Sequence, residues 1–183
     1  MLHTILTDPV PEQPPLLIAH GLYGSARNWS TIARRLSDSR QVLTVDMRNH
    51  GASFFHACND YPDLAGDLAE VITVHGGPMD VLGHSMGGKA AMMLALTKPE
   101  LVNRLIVGDI APVAYEHTQL RHIQAMRQVD LGKLTTRRDA DSAMKPGVPE
   151  DDIRAFLIQS IDVKEKKWRL NLDALEAEMP RII

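Results

Sequence analysis

The stretch at residues 80–96 constrains the fold of this chain more than any other. Residues 80–82 predict the end of a buried strand, residues 83–87 read Gly-His-Ser-Met-Gly, and residues 89–96 are strong helix formers. A serine in G-x-S-x-G between a strand and a helix is typical of a nucleophile on a sharp turn. Gly83 and Gly87 suit that turn because side chains there would collide with the crossing backbone. Ser85 is therefore the candidate nucleophile, beside a helix N-terminus that favours negative charge, although a glycine-rich turn without chemistry is the alternative interpretation.

Short apolar runs alternate with helical patterns through the first 112 residues. Buried strands are predicted at 16–19, 41–45 and 104–108, besides the one that ends before Gly83, and helices at 29–36 and 61–74. This alternation predicts an α/β fold with a mostly parallel sheet and helices on both faces. Ligands of such sheets bind at the carboxyl ends of the strands. The polar residues predicted to converge there are His20, Asp46, Ser85 and Asp109.

The second part of the chain has a different character. Residues 110–142 contain charged helical runs, residues 150–161 predict an amphipathic helix, and residues 173–179 predict a final helical turn or two. Strands no longer alternate with helices there. We therefore predict an α/β core at residues 1–112 and a helical cap over the strand ends at residues 113–183.

The turn after the first buried strand suits a second part of the site. A nucleophilic serine needs donors for the oxyanion, and in this layout the residue after the serine supplies one backbone N–H and an earlier loop supplies the other. Met86 and Leu22 are the predicted oxyanion-hole donors, while a tight turn with a hydrogen-bonded histidine is the alternative for residues 20–24. The other predicted substrate contacts in these two turns are His20, Gly21, Tyr23 and His84.

Composition excludes several other classes of protein. The net charge of −3 and the lack of a basic run argue against a nucleic-acid partner. Cys58 is the only cysteine, so neither a disulfide nor a thiol metal cluster is expected. No apolar run has transmembrane length, and residues 1–15 do not have the pattern of a signal peptide. We therefore expect a cytoplasmic protein without a metal or a membrane partner.

Four motifs together resemble a known superfamily. They are residues 20–25 (HGLYGS), 45–51 (VDMRNHG), 83–89 (GHSMGGK) and 109–113 (DIAPV). The chain resembles the α/β-hydrolase superfamily over its whole length, and within it the YbfF-like bacterial esterases; Asn49 stands where many relatives carry glycine. The resemblance implies hydrolysis of short-chain carboxylic esters or acyl thioesters, small-molecule substrates, without a cofactor.

The acid and the base of the catalytic triad are less evident. In the YbfF-like group an aspartate matching Asp109 is placed at the active site, and its position after the strand next to the elbow strand agrees with that role; a turn cap is the alternative. Asp46 is more consistent with a structural role, holding Arg48 or a loop amide. Only His117 and His122 follow Ser85, and both lie in the predicted cap.

We therefore expect that the family's last strands and base histidine are missing from this chain. That expectation makes the chain alone a poor esterase. It also leaves residues 105–107 as an apolar sheet edge with unpaired backbone groups, which predicts homo-oligomerisation through that edge.

Three functions remain open at this point. The first is a serine esterase or thioesterase with an acyl-enzyme mechanism. The second is a non-catalytic hydrolase remnant that acts as a binding module, which the absent base favours. The third is a perhydrolase or C–C hydrolase on the same fold. Epoxide hydrolases and dehalogenases of this fold use an aspartate nucleophile, so Ser85 argues against them.

Overall fold

A computed structural model describes residues 1–8, 13–116 and 118–183. The strands are β1 (Thr4–Leu6), β2 (Leu16–Ala19), β3 (Val42–Val45), β4 (Met79–His84), β5 (Val102–Gly108), β6 (Ile161–Asp162) and β7 (Lys167–Trp168). The helices are α1 (Ser30–Leu36), α2 (Tyr61–Val74), α3 (Met86–Thr97), α4 (Leu120–Arg127), α5 (Arg137–Met144), α6 (Asp151–Leu157) and α7 (Leu172–Ile182). Short 3₁₀ turns are at Ala26–Trp29, Pro99–Leu101 and Ile158–Ser160.

The first five strands form one sheet in the order β1-β3-β2-β4-β5. β1 runs antiparallel to β3, and the other neighbours are parallel. Ala19 pairs with Val45 and with Gly83, so the strands end at a common rim. The predicted mostly parallel sheet is confirmed.

Strand β2 shows how the sheet is covered on both faces. Leu17 and Ala19 join the large apolar core that α2 and α3 complete, whereas Leu16 and Ile18 pack with Ala33 of α1 in a smaller cluster. Successive side chains of a strand point to opposite faces, so an uninterrupted apolar run is what a strand between two helical layers needs. The predicted helices on both faces are confirmed.

The cap region is helical apart from one short strand pair. α4 to α7 supply most of it, while β6 and β7 pair antiparallel, with Ile161 opposite Trp168. The sequence did not predict this pair, because strands of two residues have no measurable periodicity. The apolar side chains of α4 and α7 belong to the same core cluster as those of α2 and α3. The domain boundary after residue 112 stays a prediction.

Asn49 fastens the loop after β3 to the start of α7. Its backbone has φ +65°, a left-handed conformation that asparagine and glycine tolerate best. Its Oδ1 accepts hydrogen bonds from the backbone N–H of His56, at 2.8 Å, and from Nδ2 of Asn171, at 3.0 Å. Its Nδ2 donates to Oδ1 of Asn59 at 2.9 Å, and its carbonyl accepts from the N–H of Asn171 at 3.0 Å. Asn49 is fully buried, so these hydrogen bonds within the protein take the place of the hydrogen bonds to water that its polar groups lose on folding.

β5 lies at one edge of the sheet in the described part of the chain. Leu105 and Ile106 are 39% and 48% exposed, in contrast to the fully buried apolar side chains of β2 and β3. Among the helices that the structure describes, none has both the length and the apolar character of a membrane-spanning segment.

Candidate active site

The turn between β4 and α3 holds Ser85 in a strained conformation. Its φ of +50° and ψ of −118° are rarely adopted by residues other than glycine. The backbone fixes this geometry: the N–H of Ser85 donates to the carbonyl of Gly108 at 2.9 Å, and its carbonyl accepts from the N–H of Gly88 at 2.8 Å. Such strain persists only where the surroundings enforce it, and it is common at functional sites.

The two motif glycines allow the backbone to pass at contact distance. A Cβ at Gly83 would lie 2.2 Å from the carbonyl oxygen of Gly87. A Cβ at Gly87 would lie 2.5 Å from the carbonyl oxygens of Ala19 and His20. All of these atoms belong to the backbone and cannot rotate away. The steric reason for the motif is therefore confirmed at both positions.

The loop after β2 packs directly against the nucleophile turn. A Cβ at Gly21 would lie 3.1 Å from Cβ of Ser85 and 2.9 Å from Nδ1 of His84. The N–H of Gly24 donates to the carbonyl of Gly21 at 3.0 Å and closes the loop. Within the described residues, the backbone N–H groups of Leu22 and Met86 have no acceptor. Two unpaired donors thus flank the serine turn.

His20 is a structural part of this loop. It is 1% exposed, its Nδ1 lies 2.8 Å from the carbonyl of Gly21, and its Nε2 accepts from the N–H of Met47 at 3.0 Å. This pattern places the proton on Nδ1. Burial lowers the pKa of His20 to about 4, although the Gly21 carbonyl opposes the shift. Both ring nitrogens are therefore occupied within the protein, and only the ring itself lines the cavity.

His50 is held in the same way and was not predicted to contribute. Its Nδ1 lies 2.7 Å from the carbonyl of Arg48, and its Nε2 accepts from the N–H of Tyr23 at 3.2 Å. Burial lowers its pKa to about 3, and the neighbouring His20 adds to the shift. The two rings meet edge to face with 5.1 Å between centroids. Together they fix the backbone of the loop that carries Leu22.

Tyr23 joins this loop to the cap. It is 4% exposed, its hydroxyl donates to the carbonyl of Gln119 at 3.0 Å, and its own carbonyl accepts from Oγ of Ser160 at 3.1 Å. Its ring packs edge to face on His122, with centroids 6.0 Å apart. Tyr23 lines the cavity through its ring, while its polar atoms hold the cap.

Asp109 and His84 lie together at the rim. Asp109 directly follows β5 with φ +59°, and its carboxylate is 86% exposed. Its Oδ2 lies 3.7 Å from Nε2 of His84, whose ring packs against Trp29 with 6.0 Å between centroids. Asp109 and Ser85 thus border one cavity, and in the described chain the basic side chain within 4 Å of the Asp109 carboxylate is that of His84.

Asp46 has the structural role that the sequence suggested. Its Oδ1 accepts from the N–H of Ala26 at 2.7 Å and its Oδ2 from the N–H of Ala52 at 2.9 Å. The sequence suggested either Arg48 or a loop amide as the partner of Asp46, and the structure shows loop amides. Arg48 instead pairs with Asp67, at 2.6 Å, and with Asp63, at 2.9 Å.

No histidine in the described residues forms a hydrogen bond with Oγ of Ser85. His117 lies outside the described residues. His122 is on α4, 7% exposed, and its Nε2 is buried without a partner; burial also lowers its pKa. It borders the same cavity as Ser85 but is not bonded to it.

The cavity above Ser85 has a volume of about 610 Å³ and a mostly apolar wall. The two turns and Asp109, which the sequence predicts at the ends of the strands, border this cavity. Several wall residues were missed, because they come from the 3₁₀ turn before α1, from α1, α2 and α3, from the segment after β5 and from the predicted cap. For one of them, Lys89, the sequence did contain a signal: it follows Ser85 by one helical turn, which puts the two residues on the same side of the helix. The missed side chains are Trp29, Ile32, Tyr61, Lys89, Ile110, Tyr115, Ile153, Phe156, Leu157, Ile182 and Ile183.

One group of possible metal ligands occurs in the described part of the chain. The ligand atoms of His56, Cys58 and Asp63 lie within 4.8 Å of one another. Asp63, however, pairs with Arg48, whose guanidinium would repel a cation, and Nδ1 of His56 accepts from the N–H of Cys58. None of these residues borders the cavity of Ser85.

A mostly parallel sheet, a serine on a glycine-flanked elbow and a donor-bearing loop from an earlier strand beside it are typical of the α/β-hydrolase fold. The family model described as "alpha/beta hydrolase fold" matches residues 14–148. The chain belongs to this family.

Individual relatives agree with this assignment. The chain is 37% identical to "sn-1-specific diacylglycerol lipase ABHD11" of Danio rerio, over 94% of this chain and 58% of that protein. It is 34% identical to "Esterase YbfF" of Escherichia coli strain K12, over 92% of this chain and 66% of that protein. A solved structure titled "Marine microorganism esterase" is 34% identical, with a TM-score of 0.91, and matches all of this chain and 74% of its own. The chain thus spans 58% of the Danio rerio relative's length.

Proposed function

We propose that this chain carries the nucleophile of a serine hydrolase that cleaves carboxylic esters or thioesters through an acyl-enzyme. The observation that carries the proposal is the left-handed turn at Ser85, with Gly21 packed against its Cβ. That arrangement supports attack on a carbonyl placed between the serine and the loop after β2.

In the proposed reaction, Oγ of Ser85 adds to the ester carbonyl carbon. The oxyanion that forms accepts hydrogen bonds from the N–H groups of Leu22 and Met86, which have no acceptor in the described chain. The N-terminus of α3 adds a favourable field. The serine proton passes through a general base to the leaving alcohol or thiol, and water then releases the acid.

Asp109 is the proposed acid that orients the base. It follows the strand next to the elbow strand and borders the same cavity as Ser85. Its carboxylate is exposed, so it is accessible to a general base at the cavity.

The relatives' names and the cavity suggest the substrate class. The Danio rerio relative is named a diacylglycerol lipase and the Escherichia coli relative an esterase. A mostly apolar cavity of about 610 Å³ suits a small ester with a short acyl chain. Cytoplasmic location stays a prediction.

Replacing Ser85 with alanine should remove ester hydrolysis by this chain, whatever its absolute rate. We expect turnover of 4-nitrophenyl butanoate to fall to the rate of the buffer blank, because the acyl-enzyme can no longer form. Ser39→Ala is the matched control, because Ser39 does not line the cavity of Ser85. This variant should hydrolyse the ester at the rate of the unsubstituted chain. Retained turnover in folded Ser85→Ala would overturn the assignment.

A binding module is the second candidate. It is supported by the lack of any hydrogen bond between Oγ of Ser85 and a histidine in the described residues. A chain that binds esters in the cavity but neither hydrolyses them nor reacts at Ser85 would favour this candidate.

We also propose that β5 mediates self-association of this chain. Its exposed Leu105 and Ile106 sit on a strand whose outer backbone groups are unpaired in the described sheet. Light scattering after size exclusion should show a mass above that of one chain, and Ile106→Lys should restore the single-chain mass. Ile5→Lys on β1, at the opposite edge and 43% exposed, should leave the association unchanged. A monomeric unsubstituted chain at every concentration would contradict the proposal.

A further inference from the structure

Lys89 is the unusual residue in the wall of the cavity. It lies one helical turn after Ser85 on α3, and long side chains on a helix lean back toward its N-terminus. The ammonium group is therefore carried toward the end of α3 at which Ser85 sits. Lys89 borders the cavity together with Ser85 and Met86.

Two tyrosine rings flank the ammonium group. Nζ of Lys89 lies 4.9 Å from the centre of the Tyr115 ring and 5.9 Å from that of the Tyr61 ring. Both distances are within the range of a cation–π interaction, which stabilises the charged form. Burial acts in the opposite direction and lowers the pKa of Lys89. The structure thus keeps a cation at an apolar wall, where a solvated surface position would be less costly.

The cation has no carboxylate partner in the described chain. Asp109 is the side-chain carboxylate among the described residues that line the cavity, and its Oδ2 lies 3.7 Å from Nε2 of His84. By contrast, Arg40, Arg48 and Arg154 each form an ion pair with an aspartate. A partly desolvated cation next to a reactive serine is suited to an anion that arrives with the ligand.

We propose that Lys89 binds an anionic oxygen group, a carboxylate or a phosphate, on the substrate, and thereby selects esters that carry such a group. The inference rests on the proposed function, because it takes the cavity at Ser85 as the substrate site. The reacting carbonyl lies at Ser85, and the anionic group extends along α3 to the ammonium between Tyr61 and Tyr115. Neutral esters would fill only the apolar part of the cavity.

Binding can be measured without turnover in a Ser85→Ala background. Isothermal titration calorimetry would compare monomethyl glutarate, which carries a carboxylate, butyl phosphate, which carries a phosphate, and dimethyl glutarate, which is neutral. Lys89→Met removes the charge and keeps most of the apolar stem, and Lys89→Arg keeps the charge. Lys98→Met, at the exposed end of the same helix and outside the cavity, is the matched control.

We expect Lys89→Met to weaken binding of at least one of the two anions about tenfold or more, as for the loss of a charge-assisted hydrogen bond. Affinity for dimethyl glutarate should change less than about twofold, since no ion pair is involved. Lys89→Arg should retain most of the affinity for the anions, and Lys98→Met should retain all of it. Added salt should weaken the binding of the two anionic ligands but not that of dimethyl glutarate. The ligand whose binding depends on Lys89 shows whether the anionic group of the substrate is a carboxylate or a phosphate.

The inference would be overturned if the chain with Lys89 present bound the anionic and neutral ligands with equal affinity. An equal loss of affinity for both kinds of ligand in Lys89→Met would also overturn it. If Lys89→Met does not fold by circular dichroism, Lys89→Gln and the salt dependence with Lys89 present decide in its place. The outcome is separable from that of the proposed function: no turnover by the chain with Ser85 present, together with Lys89-dependent anion binding, would reject the hydrolase but keep the anion site. Turnover at Ser85 without such binding would do the reverse.

Discussion

Gly83→Ala should destabilise the chain by about 3 kcal/mol or more, which is near the upper end for a single added methyl group. The new Cβ would lie 2.2 Å from the carbonyl oxygen of Gly87 and 2.6 Å from Cα of Gly88. Both contacts are with the backbone of the elbow, so relief requires β4 and α3 to separate. Urea unfolding followed by circular dichroism measures the change in free energy, and loss of the elbow geometry should remove reactivity at Ser85 as well.

Gly66→Ala provides the matched control for that substitution. Gly66 is exposed inside α2, and a Cβ there meets nothing within 4 Å. Because alanine is the better helix former, this variant should be more stable by about 0.5–1 kcal/mol. A Gly83→Ala chain as stable as the unsubstituted one would show that the elbow is looser than the structure indicates.

Asn49→Ala should destabilise the chain by about 3–5 kcal/mol, since it combines two losses. It removes the side-chain hydrogen bonds to His56, Asn59 and Asn171, leaving buried groups unpaired. It also places alanine at φ +65°, where a Cβ is strained by about 1–2 kcal/mol. Thermal and urea unfolding measure the total.

Asn49→Gly separates the two losses. Glycine accepts the left-handed conformation, so this variant should be less destabilised than Asn49→Ala by about 1 kcal/mol while losing the same hydrogen bonds. Asn103→Ala, at an exposed asparagine with one side-chain bond to the carbonyl of Pro78 at 3.2 Å, should change stability by less than about 1 kcal/mol. Equal stability of Asn49→Ala and the unsubstituted chain would contradict the role of Asn49 in joining the core to the cap.

The parts of the fold that could be predicted are those encoded locally. Residues 16–19 are apolar without interruption and form a strand buried on both faces, and residues 61–74 have helical periodicity and form α2. The elbow was predictable because its motif is local, and a Cβ at Gly83 would meet the backbone of Gly87, only four residues later. Nothing in these elements depends on distant side chains.

The parts that could not be predicted depend on pairs that are far apart in the chain. Asn49 meets Asn171, and Tyr23 meets Gln119, so neither contact leaves a trace in a local pattern. The sequence allowed two interpretations of His20, a substrate contact or a buried, hydrogen-bonded ring. The hydrogen bond from the N–H of Met47 to its Nε2 decides between them, and Met47 is far from His20 in the chain. The charge of Lys89 gave no hint of the two tyrosine rings that flank it, because Tyr61 and Tyr115 come from different segments.

Ser85 as the nucleophile is the central claim, and its reaction with a fluorophosphonate tests it most directly. The chain would be incubated with the probe, digested, and the modified residue located by peptide mass mapping. We predict an adduct on Ser85, reduced by prior saturation with an ester ligand and absent from Ser85→Ala; it should form slowly, because no described histidine is hydrogen-bonded to Oγ of Ser85. An adduct on a different residue, or none on a chain that circular dichroism shows to be folded, would contradict the claim.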